Sequence, residues 1–243
     1  MFWISLTRAS EGSYSEAFFS DSLRFYDNNL EGILLKIRRP KAYWEVGCDW
    51  MGQFGQARKE RFMIFSSGRS NITSFFDVGY SAYMYHFAGS QKARGVVDNI
   101  LMNPYARLDL SDALSFDRFT LRLGYLQGMQ HDRVFVGHYV LPCGGEFDIA
   151  LKKWNVILRN HLFYGTDMMP YYNSLDAGGD KYGTRLYMGD PFYRIHDDGS
   201  TGFGAYDRLD ISYEPHIGRY MSVIISARFH FHGFRHRIFH LFI

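Results

Sequence analysis

The sequence predicts an all-β chain: an antiparallel, up-and-down transmembrane β-barrel of about twelve strands, roughly ten to fourteen. Three observations predict it. Apolar and polar residues alternate with period two in segment after segment, which puts one set of side chains on each face of a strand. Short and long links roughly alternate between those segments, as expected when hairpins turn briefly on one side of a bilayer and loop at length on the other. Aromatic residues make up 18% of the chain and gather at segment ends, where amphipathic rings favour a membrane–water boundary.

The candidate strands are, in order, 16–25, 30–38, 42–50, 61–67, 74–87, 103–110, 117–127, 134–141, 154–164, 205–213, 219–231 and 236–243. In "AYWEVGCDW", Ala42, Trp44, Val46, Cys48 and Trp50 oppose Tyr43, Glu45, Gly47 and Asp49. In "FDVGYSAYM", Phe76, Val78, Tyr80, Ala82 and Met84 oppose Asp77, Gly79, Ser81 and Tyr83. In "DRFTLRLGY", Phe119, Leu121, Leu123 and Tyr125 oppose Arg118, Thr120, Arg122 and Gly124. "WNVILRNHLFY" sets Trp154, Val156, Leu158, Leu162 and Tyr164 against Asn155, Arg159 and His161. "AYDRLDISYE" sets Leu209, Ile211 and Tyr213 against Arg208, Asp210, Ser212 and Glu214. "MSVIISARFHFHG" sets Val223, Ile225, Ala227, Phe229 and Phe231 against Ser226, Arg228, His230 and His232. No stretch sustains an apolar 3.6 period, so helices contribute little. The polar face carries charge in mid-strand, at Glu45, Asp77, Arg122, Arg159 and Arg228. In a barrel these five line the lumen, and their bulk with that of the tyrosines leaves little open channel. The aromatic girdles are expected from Tyr43, Trp44 and Trp50, from Tyr80, Tyr83 and Tyr85, and from Trp154 and Tyr164. The competing arrangement is a soluble β-sandwich or closed barrel with the apolar parity turned inward.

Residues 1–13 read as an N-terminal extension and 14–243 as a single barrel domain, with 165–204 as a long extracellular loop. The opening "MFWISLTRAS" lacks the basic region and the apolar run of about 7–15 residues that mark a signal peptide. An outer-membrane location therefore predicts a chain shortened at its N-terminus. No window holds about 18 uninterrupted apolar residues, so membrane-spanning helices are not expected. A net charge of +2 gives no footprint for nucleic acid. Cys48 and Cys143 make no CxxC pair, which removes a zinc ribbon or a thioredoxin motif.

The segments "NHLFYGTDMMPYYNSLDAGG", "YGTRLYMGDPFYRIHDDG" and "YDRLDISYEPHIGRYMSVIISARFHFHG" resemble an uncharacterised family of outer-membrane β-barrel proteins of Bacteroidota, as do "KAYWEVGCDWMGQFGQARKERF" and "AYMYHFAGS". The resemblance spans roughly residues 30 to 232. It implies a barrel in a Gram-negative outer membrane, surrounded by its lipid, and implies no catalytic residues.

Loop 165–204 holds the most distinctive chemistry. Asp167, Asp176, Asp180 and Asp190 are interleaved with Tyr171, Tyr172 and Tyr187. Rings can stack on the apolar faces of sugars while carboxylates accept hydroxyl hydrogens, so small polar solutes or glycans are the candidate ligands. "DAGGD" and "DDGSTG" are equally good turn chemistry. No EF-hand spacing is present; His230 and His232, with His236 and His240 nearby, read as solvated lumen-facing histidines rather than as a zinc site, which wants a third protein ligand; and no metal or cofactor is assigned. Two His-Asp pairs, His131-Asp132 and His196-Asp197, leave open a hydrolase at the barrel rim, although no G-x-S-x-G elbow supplies a nucleophile. A soluble β-rich binding module is the third reading.

Overall fold

In the computed structural model, the described residues are 2–4, 14–21, 23, 30–53, 60–88, 96–133, 136–175, 179, 183–196, 202–217, 221–232 and 236–242. The strands are β1 (Phe2–Ile4), β2 (Gly32–Arg39), β3 (Ala42–Gly52), β4 (Arg61–Asn71), β5 (Phe76–Ala88), β6 (Val96–Asp109), β7 (Arg118–Asp132), β8 (Cys143–Lys153), β9 (Val156–Gly165), β10 (Gly204–Tyr213), β11 (His216–Ile217), β12 (Met221–Ser222), β13 (Ile225–His232) and β14 (His236–Phe242). Ten of them, β2 to β10 and β13, form an antiparallel meander in sequence order, with β1 added at one edge and β14 at the other. The two-residue strands β11 and β12 pair only with each other. Among the described residues no pairing joins β1 to β14, so the sheet has two edges.

Link lengths follow the expected alternation. Pro40-Lys41, residues 72–75 and Trp154-Asn155 turn tightly at one end, whereas 53–60, 133–142 and 166–203 connect strands at the other. Trp154 and Asn155 have φ of 52° and 66°, the left-handed pair that matches a two-residue hairpin to strand twist. Asn adopts this conformation readily and Trp does not. Trp154 is 80% exposed at the tip.

Three segments differ from expectation. Of the expected strand 16–25, the described residues 16–21 and 23 are not strand: Tyr14–Asp21 runs in turns against the inner face of the sheet. Of the expected strand 134–141, the described residues 136–141 form no strand: Val140 alone pairs, in a single bridge with Gln130 of β7, and Gly137 takes φ of 70°. The strand that follows is β8, Cys143–Lys153, which none of the expected strands covers. Within the expected extension 1–13, Phe2–Ile4 pairs with Leu35–Ile37.

The sheet must curve around the Tyr14–Asp21 segment. Tyr14 packs edge-on against Phe65 of β4, and Phe18 against Tyr83 of β5. A few residues on, Glu16 pairs with Arg208 of β10, and Asp21 pairs with Arg228 of β13 at 2.9 Å. In a flat sheet β4 and β13 would lie about 34 Å apart at about 4.8 Å per strand. Eight residues reach at most about 28 Å fully extended, and these run in turns.

The concave face is filled. Phe18, Phe65, Tyr83, Tyr85, Leu126, Phe163, Tyr193 and Tyr206 form one buried cluster with Met168, Met169, Tyr171, Leu186 and Tyr187. The described residues of the long connection, 166–175 and 183–196, therefore fold into the curve of the sheet instead of projecting from it as a loop. The convex face carries the other parity. Ile33, Leu35, Trp44, Trp50, Ile64, Val78, Tyr80, Leu123, Tyr125, Leu162, Tyr164, Ile211 and Ile225 are all exposed. Of the expected girdle residues, Trp44, Trp50, Tyr80 and Tyr164 face outward. Tyr83 and Tyr85 are core, because they share the parity of Asp77 and Ser81.

Two inner-face glycines make room for rings on the next strand. A Cβ on Gly47 would sit 2.4 Å from the Phe65 ring, and one on Gly144 would sit 2.4 Å from the Phe163 ring. Gly144→Val is expected to cost about 1–3 kcal/mol through overpacking, read as a lower unfolding temperature. Gly145→Val, at a site with nothing within 4 Å of the added Cβ, is the comparison and should lower it much less.

Candidate functional site

A row of polar residues crosses the middle of the concave face in strict register. Asp77 pairs with Arg107, Arg107 with Arg122, Arg122 with Asp148, Asp148 with His161, His161 with Arg208 and Arg208 with His230. Each strand from β5 to β10, then β13, contributes one member. Period-two alternation places them all on the inner face, and register places them side by side.

Glu146, one pleat above this row on β8, is the hub. Its side chain is fully buried and accepts from Tyr193 Oη at 2.7 Å, Asn103 Nδ2 at 2.9 Å and Ser15 Oγ. The Arg122 guanidinium lies 3.5 Å from it and 2.7 Å from Asp148, and stacks over the Tyr105 ring at 4.3 Å. Arg122 also donates to Asn103 Oδ1. His161 touches Asp148 through Nδ1 and Tyr193 Oη through Nε2, the latter at 2.7 Å.

Counting protons assigns the charges. The Tyr193 phenol has one hydrogen, and it goes to Glu146. His161 must then donate from Nε2 to Tyr193 and from Nδ1 to Asp148, which makes it an imidazolium. Two carboxylates and two cations balance in a buried site, as burial of charge requires. Burial next to Glu146 pushes the Tyr193 phenol well above its usual range, so it remains a donor. The network is therefore a lock: Ser15 of the inner segment and Tyr193 of the 166–196 stretch are both tied to β8.

The remaining contacts of that stretch are also structural. Gln130 donates to Met168 O at 2.9 Å and accepts from Tyr187 Oη at 2.5 Å. Phe192 lies parallel over both Tyr206 and His230, at 5.2 and 4.1 Å, and those two rings are neighbours at 5.9 Å. Asp190 accepts from Phe192 N at 3.0 Å and caps the single turn Pro191–Tyr193; burial raises its carboxyl above the ordinary value. Asp167 accepts from Met169 N at 2.8 Å.

The expected glycan-binding set is thus dispersed. Tyr171 and Tyr187 are buried in the core, with no ring face free for a sugar, because the stretch packs inward. Tyr172 is half-covered by Arg194, whose guanidinium lies 4.6 Å from its ring. Asp167 and Asp190 do turn work, and Asp176 and Asp180 lie outside the described residues. The five charges expected to share the polar face do so: Glu45, Asp77 and Arg122 are buried, Arg228 bonds Asp210 at 2.6 Å, and Arg159 is exposed at the tight-turn end. His131 stacks on Tyr139 at 4.6 Å and His196 bonds Gly202 O at 2.9 Å, so no contact unites the two histidines; Asp197 is outside the described residues. Among the described residues no group of three or more His, Cys, Asp or Glu side chains is arranged to hold a metal. Both cysteines are free.

Sequence reading missed Glu146, Asp148 and Ser15, and took Tyr193 only as one of the rings interleaved with carboxylates in the 165–204 loop. The alternation Glu146, Asp148, Ala150 against Phe147, Ile149, Leu151 was the available signal for the first two. No local pattern marks Ser15 or Tyr193. No protein-family model matches the chain, and no curated protein or solved structure is detectably similar to it.

Glu146→Ala would leave Arg122 and His161 short of a counter-charge, at a cost of about 3–5 kcal/mol for a broken buried pair. The expected outcome is a lower unfolding temperature together with faster proteolysis within residues 14–21 and 166–196. Tyr193→Phe removes one buried hydroxyl and should cost about 1–3 kcal/mol by the same measurement.

Proposed function

We propose that the chain is an outer-membrane β-barrel protein of structural and binding type, with its interior occluded and suited to capturing small polar solutes. The observation that carries this reading is the polarity of the sheet. Most mid-strand charges lie on the concave face, among them the paired Asp77, Arg107, Arg122, Asp148, Arg208, Asp210 and Arg228, while apolar side chains stand exposed on every strand from β2 to β7, on β9 and β10, and on β13. Monomeric proteins in water rarely expose contiguous apolar patches larger than a few hundred Å². Hydrocarbon requires such a surface, and it requires polar atoms there to be satisfied internally.

The convex face meets that second requirement in detail. Trp44 Nε1 donates to Tyr80 Oη at 2.8 Å, Tyr80 Oη lies 2.9 Å from Ser66 Oγ, and Ser66 donates to Glu45 O at 2.8 Å. Tyr125 Oη donates to Gln127 Oε1 at 3.1 Å, and Asn160 donates to Asp207 at 2.6 Å. Several strands are ten or more residues long, enough to cross a bilayer when tilted. In this reading β14 closes on the N-terminal edge to complete a barrel of about twelve strands. The resemblance of the quoted segments to a Bacteroidota outer-membrane family gives the same location. The filled interior favours capture of solutes over free passage.

Expression in a Gram-negative host with an added export signal is expected to place the protein in the detergent-extracted outer-membrane fraction. It should run at different apparent sizes in gels before and after boiling. Recovery as a monodisperse species without detergent would overturn the membrane reading. Reconstituted in planar bilayers, the protein should show no sustained open-channel conductance; a steady ohmic current would overturn occlusion.

A further inference from the structure

We propose that occlusion of the interior is proton-controlled: one proton on His161 locks the long connection against β8 and β9, and its loss as pH rises releases that connection. The consequence, access of solutes to the interior, rests on the occluded-barrel reading above. The lock itself belongs to the concave face whether or not the sheet sits in a membrane.

Tyr193 Oη carries one hydrogen and has two close neighbours, Glu146 Oε1 and His161 Nε2, each at 2.7 Å. A carboxylate oxygen can only accept, so it takes that hydrogen and Nε2 supplies its own. Ser15 brings no spare hydrogen, since its hydroxyl donates to the same Glu146 oxygen. The other ring nitrogen, Nδ1, faces Asp148, again an acceptor. Both contacts are served only by the doubly protonated ring. His86, His138, His196 and His232 differ. Each meets its partner through one nitrogen, at 2.8, 3.0, 2.9 and 2.8 Å, and a neutral tautomer supplies that contact as well as a charged ring does.

The charges around the ring make its proton matter. β8 supplies Asp148 and, at 3.7 Å, Glu146. β7 supplies Arg122, which reaches both carboxylates. β10 supplies Arg208, the cross-strand partner of His161, which is already held by Glu16 and Asp210, and the Tyr206 ring at 6.2 Å. The connection supplies Tyr193 and Asp190, a further carboxylate on which the ring's charge acts. With His161 neutral, Glu146 and Asp148 share Arg122 alone, a buried imbalance. If Nδ1 keeps its hydrogen for Asp148, Nε2 becomes an acceptor. The single hydrogen of Tyr193 then faces two acceptors, and one of the 2.7 Å contacts must open. Met168 N donates to Tyr193 O at 3.1 Å, so both halves of the connection hang on this residue. The lock is therefore present below the titration of His161 and lost as pH rises through it.

The test follows the full chain in detergent micelles from about pH 6 to about pH 9, a range that spans ordinary imidazoles and stops short of phenols and lysines. At the acid end, nitrogen NMR of labelled histidine rings should show both nitrogens of His161 protonated, and one should lose its hydrogen across the series. Over the same step, cleavage within residues 166–196, normalised to cleavage of an unfolded peptide, should rise at least about tenfold, the size of one lost charge-assisted hydrogen bond. His161→Gln should remove the step, whereas His138→Gln and His196→Gln, at exposed sites, should keep it. Conductance in planar bilayers should appear over the same pH range. A neutral His161 at the acid end, cleavage unchanged to the alkaline end, or a step that persists in His161→Gln would overturn the proposal. A cleavage step with no conductance would support the lock and count instead against the barrel reading.

Discussion

A carboxylate removed from water must find donors, and the structure turns on how Glu146 finds them. Each comes from a different place in the chain: Asn103 from β6, Arg122 from β7, Tyr193 from the long connection and Ser15 from the N-terminal segment. Asp148 and His161 then balance its charge. The curvature of the sheet, the inward fold of residues 166–196 and the path of Tyr14–Asp21 are all consequences of satisfying this buried cluster. The aromatic core of Phe18, Phe65, Tyr83 and Phe163 contributes the apolar burial, but it is the polar cluster that specifies which segments meet.

Much of the fold was legible because alternation is a strong signal and the charges declare a face. Glu45, Asp77, Arg122, Arg159 and Arg228 sit on the side that the pattern assigned to them. Strand order needed no further information, since a meander with short links pairs neighbours. What failed was local. Residues 143–153 were not expected as a strand, yet Gly144 fits under the Phe163 ring and the stretch pairs on both sides. "VFVGHYVL" looks like a strand, yet among its described residues Val140 alone pairs and Gly137 turns the chain.

The candidate site was less legible for a different reason. A loop rich in Asp and Tyr reads as a surface for sugars when its neighbours are unknown. Here its tyrosines serve as core and its carboxylates cap turns, because the curved sheet offers them a concave wall to pack against. Sequence spacing cannot show that Tyr193 will meet His161, since the contact depends on the depth to which the connection inserts.

The inner segment also constrains the order of assembly. Tyr14–Asp21 precedes every long strand, whereas its partners Arg208 and Arg228 sit on β10 and β13 near the other end of the chain. Those pairs close a loop of nearly the whole sequence, the kind of contact that forms late because its entropy is lost before its energy is gained. The ladder from β2 to β9 can be built from neighbours alone. Final curling must then wait for the C-terminal hairpin to arrive and grasp a segment that the early strands already hold at Phe65 and Tyr83.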